Sequence, residues 1–154
     1  MNKDRIIDPE KIHVVDIKTS KGSIDAATDV DTNAIAGHRF QFELGTGLTA
    51  DEKVVGLNLQ VNIEAVDIEN NVLQIKGSYT HEIIFVIDNL EDFLELDEET
   101  EHKYRIDALL GSTIAGIAFS TVRGIIFTRT QGTSLGAVIL PVINPQKLIG
   151  LETK

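Results

Sequence analysis

From Leu57 to Val66, apolar Leu57, Leu59, Val61, Ile63 and Ala65 alternate with Asn58, Gln60, Asn62 and Glu64. A period of two predicts a β-strand with one buried and one wet face. Three other segments carry the pattern less cleanly: the β-branched Ile12 to Ser20, His38 to Leu44, and Val72 to Ile87. In the second, Phe40, Phe42 and Leu44 oppose Arg39, Gln41 and Glu43. Asp67 to Asn71, with its Asn-Asn pair, predicts a hairpin connection. Val72 to Ile87 is long for a strand, so Gly77 is expected to mark a bend or bulge. Gly22 to Gly37 holds Ile24, Val30 and Ile35 among polar and small residues. It is too long for a hairpin turn and predicts a crossover loop between the first two strands. Gly45-Thr46-Gly47 falls where the second strand ends, before any helical pattern, and reads as a turn rather than a phosphate loop.

The period then changes. Residues 88–101, DNLEDFLELDEETE, carry eight acids. They read as a short helical turn capped at Asn89, then an acidic lead-in to a helix N-terminus, where the dipole favours negative charge. A docking surface for a basic partner is the other reading. A long helix is predicted from about His102 to Thr130, although Arg123 to Arg129 is β-branched enough to form a strand. Wound at 100° per residue, Ile106, Leu110, Ile114, Ile117, Val122, Ile125 and Ile126, with Ala108, Ala115 and Ala118, cover over half the circumference. Arg105, Ser112 and Arg123 share the remaining strip. A helix apolar on two sides is buried on two sides. One sheet covers one side; another subunit is expected on the second, at Gly111, Ala115, Ala118, Val122 and Ile126. The apolar run Ala137 to Ile143, around Pro141, is compatible with a core strand, a membrane-seeking segment or a surface kept for a partner.

Composition narrows the function. With 154 residues, 42% hydrophobic and 25% charged, residues 1–154 are expected to form one globular domain. The net charge of −10 disfavours nucleic acid and anionic membranes as partners. There is no cysteine, so disulfides, zinc thiolates and cysteine nucleophiles are excluded, as suits a reducing cytoplasm. The N-terminal MNKDRIIDPEK has no apolar signal region. The uncharged stretch Ala108 to Val122 is shorter than the roughly 20 residues of a membrane span, so no membrane insertion and a cytoplasmic location are expected. No nucleophile elbow or HExxH motif occurs. His13, His38 and His81 share strand parity with apolar neighbours. Either they converge on a metal or a pH switch, or they lie with satisfied hydrogen bonds at strand ends or an oligomer interface. Carboxylates fall mainly on wet faces and in loops, so no catalytic residue, metal site or cofactor is assigned.

The order of elements and several local motifs resemble the SecB and SecB-like protein-export chaperones. Ala118-Phe119 with Val122-Arg123 is similar to the Leu-Phe-Pro-Tyr-Ala-Arg centre of that family's long helix. Ile139-Leu140-Pro141-Val142-Ile143-Asn144, followed by Leu148, is similar to its Leu-x-Pro-Val-Asn-Phe-x-x-Leu, with one residue inserted. Leu57 to Ile63 resembles its third strand, and Tyr79 to Ile87 the end of its fourth. The resemblance spans about residues 12 to 149. It implies an α+β fold: a four-stranded antiparallel sheet with a long crossover loop, one long helix and a short C-terminal helix. It also implies a homotetramer, a dimer of dimers with the helices between the sheets. Client grooves would then be lined by Ile24, Val30, Ile35, Phe40, Phe42, Leu140, Val142, Ile143, Leu148 and Ile149. The implied function is an ATP-independent holdase for unfolded polypeptides. Export members dock on the SecA motor through a C-terminal tail with cysteine and histidine zinc ligands. The absence of cysteine here, and Ser120 at the helix-centre proline, make a dedicated client such as an antitoxin as compatible as general export through SecA. A small-ligand enzyme or binding protein with a sheet-wrapped pocket, and a plain oligomeric scaffold, are the alternatives.

Overall fold

The computed structural model describes residues 5–100 and 103–150. Four strands, β1 (Ile12–Ala26), β2 (Gly37–Thr49), β3 (Val54–Val66) and β4 (Val72–Ile87), form an antiparallel sheet in the order β1-β4-β3-β2. A small hairpin of β5 (Leu94–Leu96) and β6 (Tyr104–Ile106) follows, then helices α1 (Ala108–Thr130) and α2 (Pro145–Leu148). This is the α+β arrangement expected: four antiparallel strands, a crossover, one long helix and a short one.

Alternation along β3 and β4 sorts side chains between the faces. Val55, Leu57, Leu59, Val61 and Ile63 of β3, with Ile75, Tyr79, Ile83 and Phe85 of β4, lie on the buried inner face beneath α1. Asn58, Gln60 and Asn62 face outward opposite Glu82, Thr80 and Ser78. Asp67 closes the β3–β4 turn by accepting the backbone N–H groups of Glu69 and Asn71. These bonds, above all that from Asn71, hold its carboxyl below the usual carboxylate range.

Three expectations about the strands change. The crossover is shorter than predicted, because Gly22 to Ala26 continue β1 against β4 and only residues 27–36 cross. Gly45 to Gly47 is no turn; it lies inside β2, paired with Gly56 to Asn58. The irregularity in β4 is not at Gly77 but nearer the strand's start. There Ala65 alone faces Leu73, Gln74 and Ile75, and Gln74 adopts φ 59°. Gly77 answers a different need, the close approach of Leu135. A Cβ at Gly77 would come within 2.8 Å of Leu135 Cδ2. We expect Gly77→Val to lower the unfolding free energy by about 1–2 kcal/mol, towards the low end for overpacking because the clashing methyl ends a rotatable chain. Thermal unfolding monitored by circular dichroism measures this, and unchanged or raised stability would contradict the packing.

The segment after β4 also departs from expectation. The 3-10 turn Leu90–Phe93 follows Asn89, but the acids beyond it do not lead into a helix. Leu94–Leu96 and Tyr104–Ile106 instead pair as the β5–β6 hairpin, and α1 starts only at Ala108, with Asp107 as its cap. The Asp107 carboxylate accepts the Leu110 N–H at 2.9 Å and a 2.7 Å bond from Arg5. Residues 123–129 are helical, not a strand. α1 is therefore 23 residues long and, by length and composition, apolar enough to cross a membrane. One flank is protein core: Leu110, Ile114, Phe119, Val122 and Ile126 are buried on the sheet.

Candidate functional site: an apolar strip along the β2 edge

On the inner face of β2, His38, Phe40, Phe42, Leu44 and Leu48 run along the sheet's edge, each half-buried. α1 covers mainly the middle strands, so this row is roofed largely by the chain that returns after α1. Phe40 and Phe42 stack with centroids 5.9 Å apart, and Phe42 meets Phe119 of α1 edge-on at 5.2 Å. The Arg123 guanidinium lies 5.3 Å from the Phe119 ring centroid, a favourable cation–π placement. It also donates to the carbonyls of Leu140 and Pro141.

Those bonds fix the run Ala137 to Ile143 as an extended roof that belongs to no sheet. The buried Thr130 hydroxyl accepts the Val138 N–H at 2.9 Å. Val138 and Leu140 point into the core, whereas Ile139 and Val142 are 67% and 90% exposed. The run is thus partly core and partly open apolar surface. Asn144 then caps α2. α2 lies against α1 where the helix has glycine: a Cβ at Gly116 would meet Pro145 at 3.3 Å, and one at Gly111 would meet Ile149 at 3.4 Å.

The residues expected to line a groove are distributed unevenly. Phe40, Phe42, Ile143, Leu148 and Ile149 are half-buried around the strip, and Val142 stands free above it. Val30 and Ile35, in the crossover, pack half-buried on the core. Leu140, 1% exposed, is core rather than groove lining. Ile24 lies across the sheet, in the row Ile24–Gly77–Ile63–Phe40. Three strand spacings put it about 14 Å from Phe40, with Leu135 over Gly77 between them. The sequence reading missed Leu44 as groove lining, Leu48 and Ile139. Continuing the alternation beyond Leu44 would have found Leu48, but Gly45 and Gly47 interrupted it. Towards Leu48 the strip opens into a cavity of about 450 Å³ between Thr46, Tyr104, Ile106, Gly111 and Ile149.

The residues expected at an oligomer interface lie inside the protomer. Ala115, Ala118, Val122 and Ile126 are at most 1% exposed, the last three in the core that α1 forms with the sheet, and Gly111 receives Ile149. The helix was read as two-sided because its apolar arc is wide, and α2 takes part of the second side. Open apolar surface remains at Leu109 and Phe127 of α1 and at Val14 and Ile17 on β1.

The histidines do not converge. His13 bonds to Asp88 at 3.1 Å on the outer face, because a bulge at Val15 reverses the parity of β1. His38 Nε2 sits 2.8 Å from the Leu135 carbonyl, so that nitrogen carries the proton. His81 lies opposite Leu59, six β3 positions from Ala65, the partner of His38; this is about 20 Å along the strand. His81 is fully buried with both ring nitrogens unpartnered, which corrects the expectation of satisfied hydrogen bonds. Burial holds its pKa below the ordinary value, and the charge of Arg129 pushes the same way. Among the described residues, no three His, Cys, Asp or Glu side chains group to hold a metal ion.

No family model matches the sequence, and no curated protein matches it. Solved structures do. The SecB-like chaperone Rv1957 of Mycobacterium tuberculosis, in complex with a ChAD peptide from the HigA1 antitoxin Rv1956, is similar with a TM-score of 0.61 at 11% identity. The match covers 87% of this chain and 91% of that one. A Streptococcus agalactiae protein of unknown function is matched at a TM-score of 0.38 and 12% identity, over 85% of this chain and 97% of that one. The order of the strands, the crossover, the long helix and the short helix after the apolar roof together make this a SecB-like fold.

Proposed function

We propose that this chain is an ATP-independent holdase that binds unfolded polypeptide segments on the apolar strip of β2. The observation that supports this reading is the half-buried Phe40–Phe42 stack beside a roof that exposes Ile139 and Val142. Burying one large apolar side chain contributes about 1.5–3 kcal/mol. A few per segment, less the cost of ordering the client, reach the roughly −8 kcal/mol of micromolar binding. The net charge of −10 suits basic, unfolded clients. The similar M. tuberculosis chaperone holds an antitoxin peptide, and a dedicated client of that kind is proposed here beside preproteins. The open faces of α1 and β1, at Leu109, Phe127, Val14 and Ile17, are proposed to be covered by further copies in a cytoplasmic homotetramer.

Phe40→Asp tests the site, because Phe40 lines the strip without the contact on Phe119 that Phe42 makes. We expect the Kd for a reduced, carboxymethylated polypeptide to rise about tenfold or more, a loss of at least about 1.4 kcal/mol, with the circular dichroism spectrum unchanged. Native mass spectrometry should show a species near four times 16.9 kDa that retains the polypeptide. A monomer that ignores it would overturn the holdase reading.

A further inference from the structure

The cavity of about 450 Å³ at the Leu48 end of the strip differs in make-up from the strip itself. Its walls are mainly apolar: Leu48 of β2, Ile106 of the hairpin, Ile114 of α1 and Ile149 just after α2. Small-molecule sites of roughly 300–1,000 Å³ combine such walls with a few placed polar groups. The charged groups lining this cavity are Glu95, Arg105 and Asp107. Asp107 is committed, because one carboxylate oxygen caps α1 and the other accepts from Arg5. Glu95 and Arg105 are not. Arg105 turns both Nε and Nη2 onto Glu95 Oε2, at 3.2 and 3.1 Å. Glu95 Oε1 is left with only Arg5, at 3.9 Å, and among the described residues Arg105 Nη1 has no partner. The pair therefore holds one acceptor and one donor in reserve beside an apolar cavity.

We propose that this cavity binds a free α-amino acid with an apolar side chain. The side chain enters between Leu48, Ile106 and Ile149, the α-ammonium donates to Glu95 Oε1, and the α-carboxylate accepts from Arg105 Nη1. Charge balance selects the zwitterion. Arg5, Arg105, Glu95 and Asp107 cancel among themselves, so a purely cationic or anionic ligand would draw a partner away from one of them. A zwitterion supplies one charge of each sign. Hydrogen bonds between charged groups are about twice as strong as neutral ones. The Glu95 and Arg105 side chains are 40% and 60% exposed, and exposed ion pairs contribute little to stability, so this pair turns towards a ligand at small cost. A peptide terminus carries only one of the two charges. The site does not depend on the holdase reading.

The test is methyl NMR of the full chain, labelled at isoleucine and leucine and titrated with phenylalanine. The methyls of Leu48, Ile106, Ile114 and Ile149 are expected to shift. Those of Ile75, Ile87 and Leu135, buried elsewhere in the core, should not. Phenethylamine lacks the carboxylate and phenylpropionate lacks the ammonium. Each is expected to bind about tenfold or more weakly than phenylalanine, a loss of at least about 1.4 kcal/mol. Glu95→Gln should weaken phenylalanine to a similar degree without weakening phenylpropionate, because only the ammonium uses Glu95. Equal binding of the three compounds would overturn recognition of the zwitterion, and the proposal with it. So would unmoved cavity methyls in the presence of phenylalanine. If an unfolded polypeptide shifts them and phenylalanine does not, the cavity belongs to the client strip and the proposal falls.

Discussion

Phe85→Ala is expected to lower the unfolding free energy by about 3–5 kcal/mol, the range for truncating a fully buried aromatic residue. Phe85 is 0% exposed on the sheet's inner face, towards the end of the central strand β4 and opposite Val14 on β1 and Val55 on β3. Collapse into the vacated space is resisted from both sides. Below, β4 is hydrogen-bonded to a strand on each edge; above, α1 is anchored by the Asp107 cap and by the Arg123 bonds to the roof. The control is Thr80→Ala, five residues earlier on the polar outer face opposite Gln60 and Lys21, where we expect about 0.5 kcal/mol or less. Denaturant titration of both variants measures the contrast. A loss below about 1 kcal/mol for Phe85→Ala would mean that the face assignment of β4, and with it the seating of α1, is wrong.

The middle of the sheet was legible because β3 and β4 are half wet. From Leu57 to Ile63 the apolar residues alternate with Asn58, Gln60 and Asn62, so the period of two is clean there, whereas the end of β4, Ile83 to Ile87, is apolar throughout and is legible only by continuation. β1 was legible only as far as Ser20, because its bulges at Val15 and Ser20 break the parity from which a strand is read. The same break placed His13 on the apolar side, when it faces Asp88. β2 was cut short because its outer face changes from Arg39, Gln41 and Glu43 to Gly45 and Gly47, and glycine there resembles a turn. Composition also misread the acidic stretch. Eight acids before a helix fit a dipole argument, but Leu94 pairs with Ile106 and Leu96 with Tyr104 as a hairpin, a strand-to-strand relation that single-residue propensity does not encode. In the candidate site, Phe40 and Phe42 followed from alternation, whereas their alignment with residues 137–149 was implied only by the family resemblance. Periodicity could not supply it, because the roof is held by Thr130 and Arg123 rather than by a ladder.

His81→Leu is expected to stabilise the protein at neutral pH and to remove part of its acid sensitivity. The imidazole lies between Thr19 and Leu59 on the neighbouring strands. The Tyr79 ring is 6.2 Å away, and Arg129 of α1 supplies a positive charge. A neutral imidazole needs one acceptor for its N–H and one donor for its lone pair, and neither nitrogen has a partner. Leaving a buried polar group unmet costs about 1–3 kcal/mol, so leucine, similar in size and without polar atoms, should raise stability by at least about 1 kcal/mol at pH 7.5. The pH dependence follows from the direction of the shift. The folded-state pKa is depressed, so the unfolded chain takes up the proton first as pH falls. Stability is then fully present above the ordinary histidine pKa of about 6.5 and declines below it until the folded-state value is reached. Carboxylates add their own acid dependence to both proteins, so the difference between them is diagnostic. Denaturant unfolding at pH 7.5, 6.5 and 5.5 should show the gap between variant and parent widening as pH falls. A constant gap would mean that His81 reaches solvent or a partner in the folded protein. A variant less stable than its parent at pH 7.5 would mean that the imidazole makes a favourable contact in the folded protein, and its burial without partners would be wrong.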